Sequence, residues 1–208
     1  LTEQLVAWLA SREQKPDVLL SGSAVGWYGD AGERELDERQ PPVSSDYASQ
    51  LCAAWEDAAL LAEPLGIRVV RIRTGLVLAA DGGFLKRLLL PFKLALGGPI
   101  GNGRQWMPWI HLHDQVALMD FLLHHEAACG PYNACAPAPV RSRAFAKALG
   151  AALHRPAFMP LPAIFLKLGL GELSVLLLGG QRALPKRLLE AGFVFRFNTL
   201  ETALADLL

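Results

Sequence analysis

Two short runs carry hydroxyl groups where carbonyl chemistry would need them. Ser21-Gly22-Ser23 follows the apolar run Asp17-Val18-Leu19-Leu20, and small polar residues at the carboxyl end of a parallel strand lie where open α/β sheets bind ligands. Tyr47 opens the next helical pattern. A serine hydroxyl that donates to a carbonyl oxygen, with a tyrosine as general acid or base, would polarise a carbonyl and move a proton to or from it. The same residues also read as a polar turn and an aromatic core position, and periodicity alone leaves both readings open.

Other residue types invite chemistry less directly. His111 and His113 stand two apart, and His124 and His125 are neighbours. No third ligand follows at a recognisable spacing, so no metal site is expected. Cys52, Cys129 and Cys135 form no CxxC pair, which argues against a disulfide framework and for a reducing compartment. Cys135 has no histidine motif that would make it a nucleophile. Trp106 and Trp109 follow a glycine-rich loop and read either as pocket walls or as core.

These residues need elements to hold them. Apolar spacing predicts a helix over residues 1–14 with Leu5, Val6, Trp8 and Leu9 on one face, a strand over 17–21, and a helix over 45–63 capped by Ser45 or Asp46. In that helix Tyr47, Leu51, Trp55, Ala58 and Ala62 share a face. Ile67 to Arg73 reads as a second strand, with Arg73 reaching either the ligand crevice or an ion pair. An amphipathic segment begins at Gly82, Asp114 suits the N-cap of a helix over 115–127, and a strand is predicted over 132–135. A helix over 141–154 follows, and Asn198 with Glu201 has capping-box spacing before the last helix. Helix and strand in alternation predict a parallel sheet with right-handed crossovers.

Composition narrows the classes of function. The chain has 208 residues, 52% of them hydrophobic and 19% charged, with 20 Lys+Arg against 20 Asp+Glu. A zero net charge lacks the basic surplus of a nucleic-acid or anionic-membrane binder. The apolar stretch over 161–180 is broken by Lys167, Glu172 and several glycines, so it is not expected to span a membrane. The opening residues carry charges and no apolar core of a leader sequence, so the expectation is a cytoplasmic protein.

The blocks DVLLSGSAVGWYGD, VRIRTGLVL, IGNGRQWMPWIHLHD and GPYNACAPAPV, with Tyr47 on a helix between the first two, resemble the extended short-chain dehydrogenase/reductases. More narrowly the chain is similar to the atypical epimerase family of NAD(P)-dependent epimerase/dehydratase-like proteins, and residues from about 155 to 208 resemble that branch's own C-terminal domain. The resemblance implies an α/β fold: the second half of a Rossmann-type doubly wound parallel sheet, over 1–80 and 109–136. It also implies a small, mainly helical substrate lobe over 81–108 and 137–208. The family's glycine-rich turn, which holds a cofactor pyrophosphate at a helix N-terminus, is expected upstream of Leu1. GDAGE, LGGP and GNGRQ carry glycine, but none is placed between a strand and a helix in the required way.

By the same resemblance Ser23 and Tyr47 are the catalytic candidates. Ser21, Gly22, Gln50 and Arg73 would touch NADP(H) or NAD(H), and Ser23, Arg104, Trp106 and Trp109 would touch a small-molecule substrate. The family's lysine, one turn after the tyrosine, is replaced by Leu51, which can neither donate to a ribose nor bring a cation to the phenol. Met107-Pro108 stands where nucleotide-sugar epimerases carry an arginine and an aspartate, so a diphosphate clamp is absent there. The function implied is hydride transfer at a carbonyl or secondary alcohol. A non-catalytic dinucleotide sensor or scaffold is the alternative, and the long helix after Tyr47 could pair two copies.

Overall fold

The computed structural model describes residues 1–42, 46–160 and 179–208. Its central sheet has three parallel strands in the order β1 (Val18–Ala24), β3 (Arg68–Thr74), β7 (Gly130–Ala134). The register sets Ser23 opposite Arg73 and Arg73 opposite Asn133. The helix α1 (Thr2–Ala10) precedes β1, and a 3-10 turn, Val25–Tyr28, follows it. Next come the short strand β2 (Glu35–Leu36) and the long helix α2 (Tyr47–Leu60).

Alternation along β3 decides what the two faces of the sheet meet. Val69 packs with Val6, Leu9, Ala59 and Ala62 of the α1 and α2 region. Val70 and Ile72 face the other way, onto Leu118 and Leu122 of α4 (Leu112–His124) and onto Leu188, Phe193 and Phe195. Arg71 and Arg73 therefore share the α2 face, which a one-sided hydrophobic reading of the strand does not anticipate.

A second core gathers after β3. The strand β4 (Leu76–Leu78) pairs in parallel with β6 (Trp109–His111), and β5 (Trp106–Met107) pairs antiparallel with β8 (Val140–Arg141). Leu78 of β4, with Leu85 and Phe92 of α3 (Gly83–Lys93), packs with Trp109, with Phe145 and Leu149 of α5 (Ser142–Ala152), and with Leu200, Ala203 and Leu204 of the last helix. The chain closes through β9 (Arg182–Ala183), which pairs with β2, then α6 (Lys186–Glu190) and α7 (Leu200–Leu207). Among the described residues no helix is long and apolar enough to cross a membrane. Most of the apolar stretch over 161–180 lies outside the described residues.

Several local expectations are corrected. On α1 only Val6 and Leu9 are buried, while Leu5 and Trp8 face solvent. On α2 the buried face is Ala48, Ser49, Cys52, Glu56, Ala58 and Ala59; Tyr47 and Trp55 are exposed, because small side chains bring the helix close to the sheet. Asp46 caps α2 by accepting from the Ser49 amide at 2.9 Å, and Ser45 lies outside the described residues. The helix predicted over 115–127 opens earlier, at Leu112. His111 Nδ1 accepts from the His113 amide at 3.0 Å, while Asp114 is buried and receives the amides of Arg196 and Phe197, each at 3.0 Å. The last helix is capped by Thr199, whose hydroxyl accepts from the Thr202 amide, and not by Asn198.

Leu149 is fully buried between α5 and the last helix. In the full-length protein, Leu149→Ala is expected to cost about 2–5 kcal/mol, read as a lower urea midpoint with an unchanged denaturant slope.

Candidate active site

Near the carboxyl ends of β1 and β3, on the face that α2 covers, the side chains form a buried polar network. Its centre is Glu56 on α2, only 2% exposed. The Arg73 guanidinium donates to both of its oxygens, Nε to Oε1 at 2.7 Å and Nη2 to Oε2 at 2.9 Å. Arg71 Nη1 donates to Oε2 at 3.0 Å, and the Ser23 hydroxyl donates to Oε1 at 2.9 Å. The forked arginine geometry matches a carboxylate on two bonds at once. Arg73 also lies over the Trp27 ring, 3.4 Å from its centroid, and its Nη1 donates to Tyr28 Oη at 3.1 Å.

Tyr28 carries the network onward. It is fully buried, and its hydroxyl lies 3.0 Å from the Asp37 carbonyl and 2.9 Å from Asn133 Oδ1. Burial pushes the Tyr28 phenol up to about 12, with the nearby Arg73 pulling the other way. Asn133 donates its amide to Glu38 Oε1 at 3.0 Å and its Nδ2 to the Leu184 carbonyl at 3.0 Å, so β7 is tied to the C-terminal segment. Burial also raises the Glu38 carboxyl above its ordinary value.

Next to this network lies a cavity of about 160 Å³, lined by Ala24, Val25 and Gly26 after β1, Thr74, Gly75 and Leu76 after β3, Trp106, Met107 and Pro108, and Gln181. Gly75 is required here, since a Cβ would run into the Pro108 carbonyl oxygen. That carbonyl accepts from the Leu76 amide at 2.7 Å.

The structure distributes the predicted residues over several places. Ser23 and Arg73 meet at Glu56; of Arg73's two expected roles, the ion pair is the one present. Ser21, Gly22 and Ser23 line an open groove beside β1 together with Leu51, Ala54 and Trp55. Tyr47, 52% exposed at the start of α2, does not line that groove, and Gln50 is exposed. Trp106 forms a cavity wall, whereas Trp109 is fully buried in the second core, its indole donating to the Ala138 carbonyl at 3.0 Å. Arg104 lies in a separate polar cleft with Asp30, Glu33 and Asn102. His111 stacks on Phe197 with ring centroids 3.9 Å apart, and among the described residues no cluster of three metal-ligating side chains exists.

Sequence reasoning missed Glu56, Tyr28, Glu38 and Asn133. Glu56 sits in Trp55-Glu56-Asp57, a pattern that reads as solvent-facing. The usable signal is in β3, where Arg71 and Arg73 stand two apart on a strand that must be buried on both faces and so require an acidic partner.

The three-stranded parallel sheet, its covering helices and the crevice at the strand ends define a Rossmann-like α/β protein. The chain belongs to the NAD dependent epimerase/dehydratase family, whose model matches residues 1–135. Residues 161–207 match a domain of unknown function, DUF1731. The epimerase family protein YfhF of Bacillus subtilis is 37% identical over 207 residues, covering 100% of this chain and 68% of that protein. The crystal structure of the human epimerase family protein SDR39U1 with NADPH superposes with a TM-score of 0.93 at 36% identity, covering 99% of this chain and 70% of that one. A nucleoside-diphosphate sugar epimerase from Corynebacterium glutamicum gives a TM-score of 0.81 at 31% identity over 99% of this chain and 40% of its own.

Two outcomes are expected from the network. Glu56→Gln leaves the buried Arg73 charge without its counter-ion and costs roughly 3–5 kcal/mol, measured by chemical denaturation of the full-length protein. The unfolded phenol titrates near 10 and the folded Tyr28 near 12, so the native state holds the proton longer and stability falls as pH rises through that window. Tyr28→Phe is expected to flatten this part of the stability–pH curve, while at neutral pH it loses about 1–3 kcal/mol from the partners left unpaired.

Proposed function

We propose that the full-length protein is a nicotinamide-dependent reductase or dehydrogenase that moves hydride between the cofactor and the carbon of a carbonyl or secondary alcohol. The observation that carries this reading is the position of Ser23: a hydroxyl at the carboxyl end of β1, one residue before a neutral cavity lined from β1 and β3. The NADPH in the human relative's structure favours the phosphorylated cofactor.

The residues at the groove suit the nicotinamide end of such a cofactor. Space over Gly22 is open, since a Cβ there would meet nothing within 4 Å, so a ring can approach the backbone. Ser21, Gly22 and Ser23 would hold it, with Gln50 as a donor from α2. When bound, the cofactor supplies or accepts the hydride. Ser23 then has a defined task. Its hydroxyl rests on Glu56, and when it turns to a substrate oxygen the carboxylate keeps Arg71 and Arg73 as donors, so no buried acceptor is stranded.

The sensor reading draws on Leu51 in place of a lysine and on the exposure of Tyr47. Calorimetric titration with NADPH and NADH tests the shared premise, and the full-length protein is expected to bind NADPH. Ser23→Ala is expected to lower kcat/KM about 100-fold, the scale of losing one donor to a developing oxyanion. A protein that binds cofactor, reduces no carbonyl compound and is indifferent to Tyr47→Phe fits the sensor instead.

A further inference from the structure

We propose that the cavity at the ends of β1 and β3 receives an uncharged, ring-sized carbonyl compound, an aromatic or alicyclic aldehyde or ketone, and not a nucleotide sugar. This rests on the reductase reading above and names its substrate class. Size is the first argument. At about 160 Å³ the cavity is close to an apolar hole of about 150 Å³ that admits benzene, and well below the roughly 300–1,000 Å³ of sites for drug-sized ligands.

Charge is the second. Among the described residues none that lines the cavity is charged, and its polar side chains beyond the Trp106 indole are Thr74 and Gln181. The ionised groups nearby are spent outside it. Glu33 accepts from the Trp106 indole at 3.2 Å and from Arg141 at 2.6 Å, and Arg182 pairs with Glu35 at 3.0 Å. A diphosphate entering here would lose its hydration without meeting a cation among the residues that line the cavity, and an unpaired ion out of water is strongly disfavoured.

Orientation is the third. Trp106 is a fixed wall, with the guanidinium carbons of Arg141 and Arg182 at 4.7 and 4.8 Å from its ring centroid. Gln181 Nε2 is committed to the Gly29 carbonyl at 3.1 Å. The Thr74 hydroxyl has only a long contact, 3.4 Å, to the Ile72 carbonyl, against about 2.7–2.8 Å for a normal hydroxyl bond. It is free to turn and donate to a ligand oxygen. In the reaction the carbonyl carbon accepts hydride from the reduced nicotinamide, the π pair moves to oxygen, and the oxygen takes a proton. The products are an alcohol and the oxidised dinucleotide.

The test uses the full-length protein and three probes: benzaldehyde, cyclohexanone and UDP-glucose. Saturation-transfer NMR in the presence of NADP⁺ is expected to show benzaldehyde and cyclohexanone bound and UDP-glucose unbound, and NADPH absorbance should fall with the first two. Ala24→Phe, which fills the cavity, should raise the benzaldehyde Kd at least ten-fold. Thr74→Val, which keeps the shape and removes the donor, should raise it about three- to ten-fold. The proposal is overturned if UDP-glucose binds in place of the ring compounds, if NADPH displaces benzaldehyde competitively, or if both variants bind benzaldehyde like the parent. Failure to bind any nicotinamide cofactor sinks the reductase reading separately, since benzaldehyde binding to the cofactor-free protein still reports on the cavity.

Discussion

The carboxylate of Glu56 is the constraint on which the geometry of the crevice depends. Two guanidinium groups and one hydroxyl converge on it inside the protein, from β1 and β3, while its own backbone belongs to α2. An ion taken out of water is tolerated only when every lone pair finds a donor, so the distance and rotation of α2 against the sheet are set within the length of these bonds. Small residues at the contact, Ala48, Ser49, Cys52 and Ala59, let the helix come that close. The turn after β1 is held by the same device, because Arg73 stacks on Trp27 and donates to Tyr28 within it. The first side of the cavity is thus fixed by electrostatics as well as by the packing of Val25 and Tyr28 with Leu36, Cys135 and Ala183.

Its opposite side is fixed by polar contacts with the C-terminal segment. Asn133 reaches Leu184, Gln181 reaches Gly29, and the Glu38 carboxylate accepts the amides of Asn133 and Arg187. Asp114 does the same service for the amides of Arg196 and Phe197. Each contact gives a buried backbone or amide group its obligatory partner; Gln181 is held as a wall by its bond to Gly29, and Trp106 by Glu33, Arg141 and Arg182.

The sheet was legible because its strands are apolar runs followed by small residues and separated by helices with clear spacing. β1, β3 and β7 all fall within a few residues of the pattern read from 17–21, 67–73 and 132–135. The faces of the helices were less legible. In α2 the large residues Tyr47 and Trp55 dominate any count of hydrophobicity, yet the buried face is made of alanines around one glutamate. Periodicity ranks residues by apolarity and has no means of ranking a charge that is buried because it is paired. Ser23 could be picked out by its place at a strand end, whereas Tyr28 and Asn133 act through partners more than a hundred residues apart in sequence, which no local pattern encodes. Capping failed at Asp114 and Asn198 for a similar reason: each side chain was drawn to another backbone group.

The pairing of β2 with β9, Glu35 against Arg182 and Leu36 against Ala183, has a bearing on how the molecule comes to exist. A ribosome delivers the first strand of this ribbon long before the second, and loop closure over such a span is slow to be repaid. Until residues 180–187 emerge, Gly29, Asn133 and Glu38 must keep water in the places the C-terminal segment will take. The cavity that Gln181 lines therefore closes only once that segment has been made, and a nascent chain halted before it would carry its sheet with the cavity still open to solvent.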